Sequence, residues 1–396
     1  MSEPITGYAE GYYGRLLSWQ ERSQLLVTLN RLGLNTYYYA PKEDPLHRLH
    51  WRTPYDAQWR SDFKAFCEHA KHLEINVVAG VAPGLDFDFS HLPDGEDFNH
   101  LLHKCRTLLA DGADAISILM DDIDDDYEQH RGEYAFEGHA HAALSNATAQ
   151  ALGVPSIWVT PRVYADELIP ESEDYLPHFV GTLDEQHTVV YCGSDVVSEH
   201  VDTRVQVSLN NVAQQAGLCG VHSHRVIIWD NLYANDYCPR RLFIGPWQGR
   251  FGVQDVVLNP TGMPNTDALL LSVMARTLSA CQEEGSDAIA RTVWKQVLRE
   301  HDVPDAFFLL APYFYHPVFN TGNDDESNVA CVDNLAVQDA IEFCLWRWKT
   351  PLSREWYPAI FGLKHDLLTF SGQHPQLRIR KTQNAPLATV LLKYKN

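Results

Sequence analysis

Eight short runs rich in β-formers punctuate the first two thirds of this chain, and they constrain the fold more than any other feature. They are TGYAEGYY (6–13), NTYYYA (35–40), NVVAGVAP (76–83), AISILMDD (115–122), SIWVTPRVY (156–164), HTVVYCG (187–193), VIIWDN (226–231) and GVQDVVLNP (252–260). Most are continuously apolar rather than alternating, as parallel strands covered on both faces must be. Helical patterns fill the gaps. The stretch 18–33 opens with Ser18 followed by Glu21, a capping-box signature, and 56–74 and 98–112 keep apolar residues at helical spacing. Eight strand-helix units over about 260 residues is the size of a (β/α)8 TIM-like barrel. A doubly wound open sheet is the competing reading. It usually carries a glycine-rich phosphate loop after its first strand, and no GxGxxG or GxxxxGK occurs here.

The stretch NPTGMPNTD (259–267) reads as a linker. Beyond it the sequence turns helical at 269–282, 287–301 and 334–349. The expected organisation is therefore a barrel over 1–264, a smaller α-helical C-terminal domain over 265–372, and a basic, mixed segment over 373–396 with no readable structure.

Charge and cysteine usage narrow the functional classes. The 396 residues carry 52 acidic against 31 basic side chains, a formal net charge of −21. Nucleic acid and anionic membranes are poor partners for such a surface, because both are bound through Lys and Arg. The opening MSEPITGYAEGYYGR has no charged region leading into an apolar run, and no stretch of about 18 apolar residues follows elsewhere, so neither a secretory signal nor a membrane span is expected. The eight cysteines are scattered without a CxxC pair, which fits free thiols in a reducing cytoplasm.

The active site of a (β/α)8 barrel lies at the carboxyl ends of its strands. Those ends here read Glu10-Gly11-Tyr12-Tyr13, Pro41-Lys42-Glu43-Asp44, Asp121-Asp122-Ile123-Asp124, Thr160 with Tyr164, Trp229-Asp230-Asn231 followed by Asn235-Asp236, and Asn259-Pro260. The adjacent pair Asp121-Asp122 is the sharpest of these. Ordinary glycosidases place two carboxylates on opposite sides of the scissile bond, about 5–5.5 Å apart for retention or about 6.5–9.5 Å for inversion. Neighbours on one strand, whose side chains alternate in direction, do not straddle a sugar in that way. They suit substrate assistance, in which a 2-acetamido group attacks, one carboxylate orients it and the other protonates the leaving oxygen. Two close carboxylates are also expected to push one pKa upward. The plain alternative is that 121–126 is a solvated acidic loop or a cation site. The acidic run is not an EF-hand, because Gly and Glu are missing from the sixth and twelfth positions. The pairs His139/His141 and His222/His224 read as structural, since neither ends a strand, and no metal is expected.

These residues resemble glycoside hydrolase family 84. The stretches that carry the resemblance are EGYYGR (10–15), GLNTYYYAPKEDPLHRLHWR (33–52), APGLD (82–86), ILMDDID (118–124), WDNLYANDY (229–237), RLFIGP (241–246) and LNP (258–260). The chain departs from the family pattern at Met120, where phenylalanine is common, and at Leu16, where proline often stands. The resemblance implies a retaining exo-β-N-acetylglucosaminidase without a cofactor. It assigns acetamido orientation to Asp121, general acid-base work to Asp122 and help to the acetamido oxygen to Tyr164. It makes Gly11, Lys42, Asn231, Asp236 and Asn259 sugar-binding positions, with Trp229 walling the N-acetyl pocket and Thr160 flooring it. The partners it implies are glycopeptides, glycoproteins or oligosaccharides bearing β-GlcNAc, including O-GlcNAc on Ser or Thr. Two other classes fit the barrel alone: a non-catalytic glycan-binding barrel and a metal-dependent barrel hydrolase.

Overall fold

A computed structural model describes residues 3–123, 127–201, 224–238, 241–281, 286–315 and 335–370. His222, Asp124, Cys219, Cys331 and the segment 373–396 lie outside the described residues. Eight parallel strands close into a barrel in sequence order. They are β1 (Thr6–Glu10), β2 (Thr36–Tyr39), β3 (Asn76–Val81), β4 (Ala115–Leu119), β5 (Trp158–Thr160), β6 (Thr188–Tyr191), β7 (Arg225–Asp230) and β8 (Val256–Leu258). Closure comes from β1 pairing with β8 in the register Gly7 to Val257. Seven of the eight strands are shorter than their runs; β7 is as long as its run and starts one residue earlier. The surplus residues at the carboxyl ends leave the ladder and form the loops that carry the site.

Alternation across the pleat sorts the side chains into two layers. In β2, Tyr38 enters the barrel interior with Ala9, Val78, Leu119, Trp158, Val190, Ile227, Trp229 and Val257. Its neighbours Tyr37 and Tyr39 face the other way and pack against Phe66 and Phe63 of α2 (Ala57–His72). Helix α1 (Trp19–Leu32) begins with the expected capping box: the Ser18 side chain accepts from the Glu21 N–H, and the Glu21 carboxylate accepts from the Ser18 N–H at 2.8 Å. It ends at Gly33, in the left-handed region at φ 69°.

Glu10 and Asp230, read as strand-end polar residues, are absorbed by the scaffold. Glu10 is fully buried and accepts two bonds of 2.8 Å from Arg22 of α1 and one of 2.7 Å from Tyr37. Asp230 is held by Arg250 and by the Trp247 indole N–H.

The compact units divide elsewhere than at residue 264. One comprises the described residues up to Asp236 and Trp247–Val293; the other comprises Tyr237–Pro246 and the described residues from Trp294 onward. The stretch 259–267 is not a linker: Pro264 opens a helix, α6 (Pro264–Ala280), that packs beside α1 in the barrel unit. Buried Asp267 ties it down, accepting from the Thr261 hydroxyl at 2.6 Å and from the Tyr8 hydroxyl at 3.1 Å. The motif 241–246 joins the second unit, where the Trp294 indole donates to the Ile244 carbonyl at 2.6 Å and Ile244 N–H to the Phe314 carbonyl at 2.9 Å. Later helices of that unit include α8 (Leu335–Trp346) and α9 (Pro351–Phe370).

Candidate active site

The acid pair follows the end of β4. The Met120 N–H still bonds the Thr160 carbonyl at 2.9 Å, and the chain then turns sharply. Asp122 has φ 55°, a left-handed conformation that L side chains rarely adopt. The turn cancels the alternation expected of neighbouring residues. Instead of pointing apart, both carboxylates approach one ammonium: Lys42 Nζ donates to Asp121 Oδ2 and lies 3.9 Å from Asp122 Oδ2. Lys42 is itself buried, beyond the end of β2.

The two acids differ in what surrounds them. Asp121 is buried, and among the described residues nothing bonds its second oxygen, Oδ1. A buried carboxylate oxygen without a donor is an open acceptor, since such atoms are nearly always paired. Asp122 is about one-third exposed, and both its oxygens are engaged: Oδ1 accepts from the Tyr164 hydroxyl at 2.7 Å and Oδ2 from the Tyr13 hydroxyl at 2.8 Å. Burial works to raise its pKa. The Lys42 charge, the two tyrosine hydroxyls and Arg48 outweigh burial and hold the carboxyl below its ordinary value. The expected upward push on the pair is therefore not what this geometry gives to Asp122, because the cations and donors prevail. The same carboxylate, after burial, helps push the Tyr13 and Tyr164 phenols upward, so both are neutral donors.

A second group of side chains forms a chain of amides. Asn259 Oδ1 accepts from the Gly11 N–H at 3.1 Å, and its Nδ2 donates to Asn231 Oδ1 at 2.9 Å. The Trp229 indole N–H donates to the same oxygen at 2.9 Å, while Asn231 Nδ2 donates to the Val196 carbonyl at 2.9 Å. Glycine at position 11 lets the indole sit this close: a Cβ would lie 2.0 Å from Cζ2 of Trp229 and displace it. Trp229 meets Tyr38 edge-on at 5.2 Å, and the Tyr38 hydroxyl lies 3.3 Å from Thr160 Oγ1. Asp236 is joined to the acid group through the backbone, accepting from the Tyr13 N–H at 2.9 Å.

The structure thus links Lys42, Asp121, Asp122, Tyr164 and Asp236 in one network, and Gly11, Trp229, Asn231 and Asn259 in another. Thr160 bonds neither; it faces Tyr38 inside the barrel. Sequence reasoning placed Tyr13 at a strand end without giving it a role, and it missed Arg48 and Cys192. Cys192 lies against Asn231 Nδ2 at 3.5 Å, with its thiol pushed well upward by burial and then by Asp121. Tyr13 and Arg48 sit inside quoted motifs, but as loop residues after strands they gave no periodic signal.

Among the described residues no group of three or more His, Cys, Asp or Glu side chains is placed to hold a metal ion, and no helix is long and apolar enough to cross a membrane. His141 is buried and shares a 2.9 Å hydrogen bond with the Tyr175 hydroxyl; burial pushes its pKa down to about 3.

The class so defined is a (β/α)8 barrel with two adjacent carboxylates, a buried lysine and a chain of amides at the carboxyl ends of its strands. The chain belongs to the β-N-acetylglucosaminidase family, whose model matches residues 6–311, in agreement with the family-84 resemblance carried by its motifs. It is 29% identical to the protein O-GlcNAcases of Rattus norvegicus and Mus musculus over 252 residues, 62% of this chain. The match spans only 26% of the length of each of those relatives. In fold it is similar to a mutant of the Thermobaculum terrenum O-GlcNAc hydrolase, with a TM-score of 0.75 and 21% identity, over 99% of this chain and 90% of that one.

Proposed function

We propose that this protein is a retaining exo-β-N-acetylglucosaminidase that uses the substrate's own acetamido group as nucleophile, and that its substrates include O-GlcNAc on serine or threonine. The observation that carries the reading is the asymmetry of the acid pair. Asp121 offers a buried oxygen to which no group among the described residues donates, beside an oxygen fixed by Lys42. An acetamido N–H supplies the missing donor. Asp121 then holds the amide and stabilises the positive charge that develops on it, while the acetamido oxygen attacks the anomeric carbon. Asp122 gives its proton to the leaving oxygen, and the bond from that oxygen to the anomeric carbon breaks. In the second half Asp122 takes a proton from water, whose oxygen opens the oxazoline ring and restores the acetamido group with net retention.

Tyr164 is assigned to the acetamido oxygen. It donates to Asp122 in the structure, so substrate binding has to exchange that partner. Loss of that bond and cover by the sugar both raise the Asp122 pKa, bringing it toward the range a general acid needs. Trp229 supplies the wall of the N-acetyl pocket and Thr160 the floor beneath it, while Gly11, Lys42, Asn231, Asp236 and Asn259 are the sugar-binding positions. The cytoplasmic compartment and the glycoprotein aglycone belong to this proposal.

The test is a series of aryl β-GlcNAc substrates whose N-acetyl group carries successive fluorines. Turnover falls with each fluorine, because each weakens the internal nucleophile. A GlcNAc-thiazoline, which mimics the bicyclic transition state, inhibits competitively and tightly, and Asp121→Ala loses much of that affinity. A flat rate across the series, or a sugar trapped covalently on Asp121, returns the enzyme to ordinary double displacement.

A further inference from the structure

Arg48 lies just past β2, and among the described residues it forms no ion pair with a carboxylate side chain. Both arms of its guanidinium serve Asp122 instead. Nη2 donates to the backbone carbonyl of Asp122, and Nη1 donates to the Tyr13 hydroxyl at 2.6 Å. That hydroxyl passes its own proton toward Asp122 Oδ2 at 2.8 Å. The guanidinium sits 5.9 Å from the centre of the Tyr13 ring. A planar fork can hold two acceptors at a fixed separation, which a lysine ammonium cannot do.

Asp122 has need of such a brace. Its left-handed backbone persists only where the surroundings over-determine it. The direct bond fixes the peptide that follows the twist, and the relayed bond fixes the carboxylate. We propose that Arg48 is a positioning residue for the general acid, holding the backbone turn of Asp122 directly and its carboxylate through Tyr13. The inference rests on the reading of Asp122 as the acid.

Among the described residues the charged and titratable groups around Asp122 are Lys42 and Arg48 from beyond β2, Asp121 from the end of β4, Tyr13 from beyond β1, Tyr164 from beyond β5 and the Cys192 thiol from beyond β6. Deleting Arg48 removes a cation and loosens the Tyr13 bond. Both changes favour the protonated acid, so it survives to higher pH.

The experiment compares wild type, Arg48→Ala, Arg48→Lys and Asp122→Asn. Each is assayed on a dinitrophenyl β-GlcNAc and on a GlcNAc-serine peptide, with full pH profiles. Arg48→Ala is expected to lose on the order of 10-fold to 10²-fold on the peptide, as misplaced catalytic groups do, with a much smaller loss on the dinitrophenyl substrate. Its alkaline limb moves to higher pH. Arg48→Lys keeps the charge and hence the limb, but retains part of the selective loss. Should Arg48→Ala fail to fold, Arg48→Lys carries the test. Equal losses on both substrates, or an Arg48→Ala limb that does not move, overturn the inference when Asp122→Asn still discriminates between leaving groups. If Asp122→Asn itself loses both substrates equally, the assignment of the acid fails, and the role of Arg48 fails with it.

Discussion

Asp121 and Asp122 stand where an apolar strand ends in two acids, at the face on which this fold keeps its chemistry. What surrounds them was not readable. The left-handed turn at Asp122 has no signature in residue type, and its tyrosine donors come from the ends of β1 and β5, strands far apart in sequence. The reversed sign of the Asp122 pKa follows from those partners. Asp122→Asn removes the proton donor, and we expect a loss of about 10²–10⁴-fold on poor leaving groups, the range of general acid catalysis. Activated phenols suffer less. The protonated fraction of Asp122 falls as pH rises, so wild-type activity on poor leaving groups declines on the alkaline side, and the variant loses that limb. Equal losses on both leaving groups would count against the role. Gly11→Ala tests the pocket wall. A Cβ 2.0 Å from the Trp229 ring forces the indole to shift, so KM for GlcNAc substrates rises while the fold survives; an unchanged KM means that Trp229 does not line the sugar site.

At the scale of elements, the continuous apolar runs fixed the number of strands and the caps fixed α1, because both are local signals. The buried braces between elements were hidden. Glu10 looked like one more polar residue at a strand end, yet its carboxylate joins β1 to α1 through Arg22 and to β2 through Tyr37. Both side chains of the ion pair are almost wholly buried. Removing one partner strands a buried charge, which costs about 3–5 kcal/mol. Glu10→Ala should therefore lower the denaturant midpoint sharply with no change in slope. The double replacement Glu10→Leu with Arg22→Met, which leaves no charge behind, should recover much of that loss. If the double variant is as unstable as the single one, the cost comes from packing rather than from the orphaned guanidinium.

At the scale of the whole molecule, the barrel was legible because eight similar units repeat, while the compact units depend on contacts distant in sequence. Pro264 and the glycine before it suggested a break, but Asp267 anchors the following helix to the barrel unit through Tyr8 and Thr261. The excess of 52 acidic over 31 basic side chains belongs to this scale as well. Summed over the surface, it sets up a negative potential that attracts cationic aglycones and slows anionic ones. Among the described residues, the cations acting on Asp122, Lys42 and Arg48, are bonded to the acid pair or to Tyr13 and do little to offset that field at a distance. If peptides bearing O-GlcNAc are substrates, kcat/KM at low ionic strength should fall in the order cationic, neutral, anionic, with a spread of roughly tenfold from encounter rates. The differences should shrink as salt shortens the screening length to about 3 Å at 1 M. A neutral aryl β-GlcNAc, measured alongside, should change little over the same salt range. An order that persists at high salt would mean that the peptide charges are read by direct contact, and a reversed order would show that the net charge plays no part in selecting the aglycone.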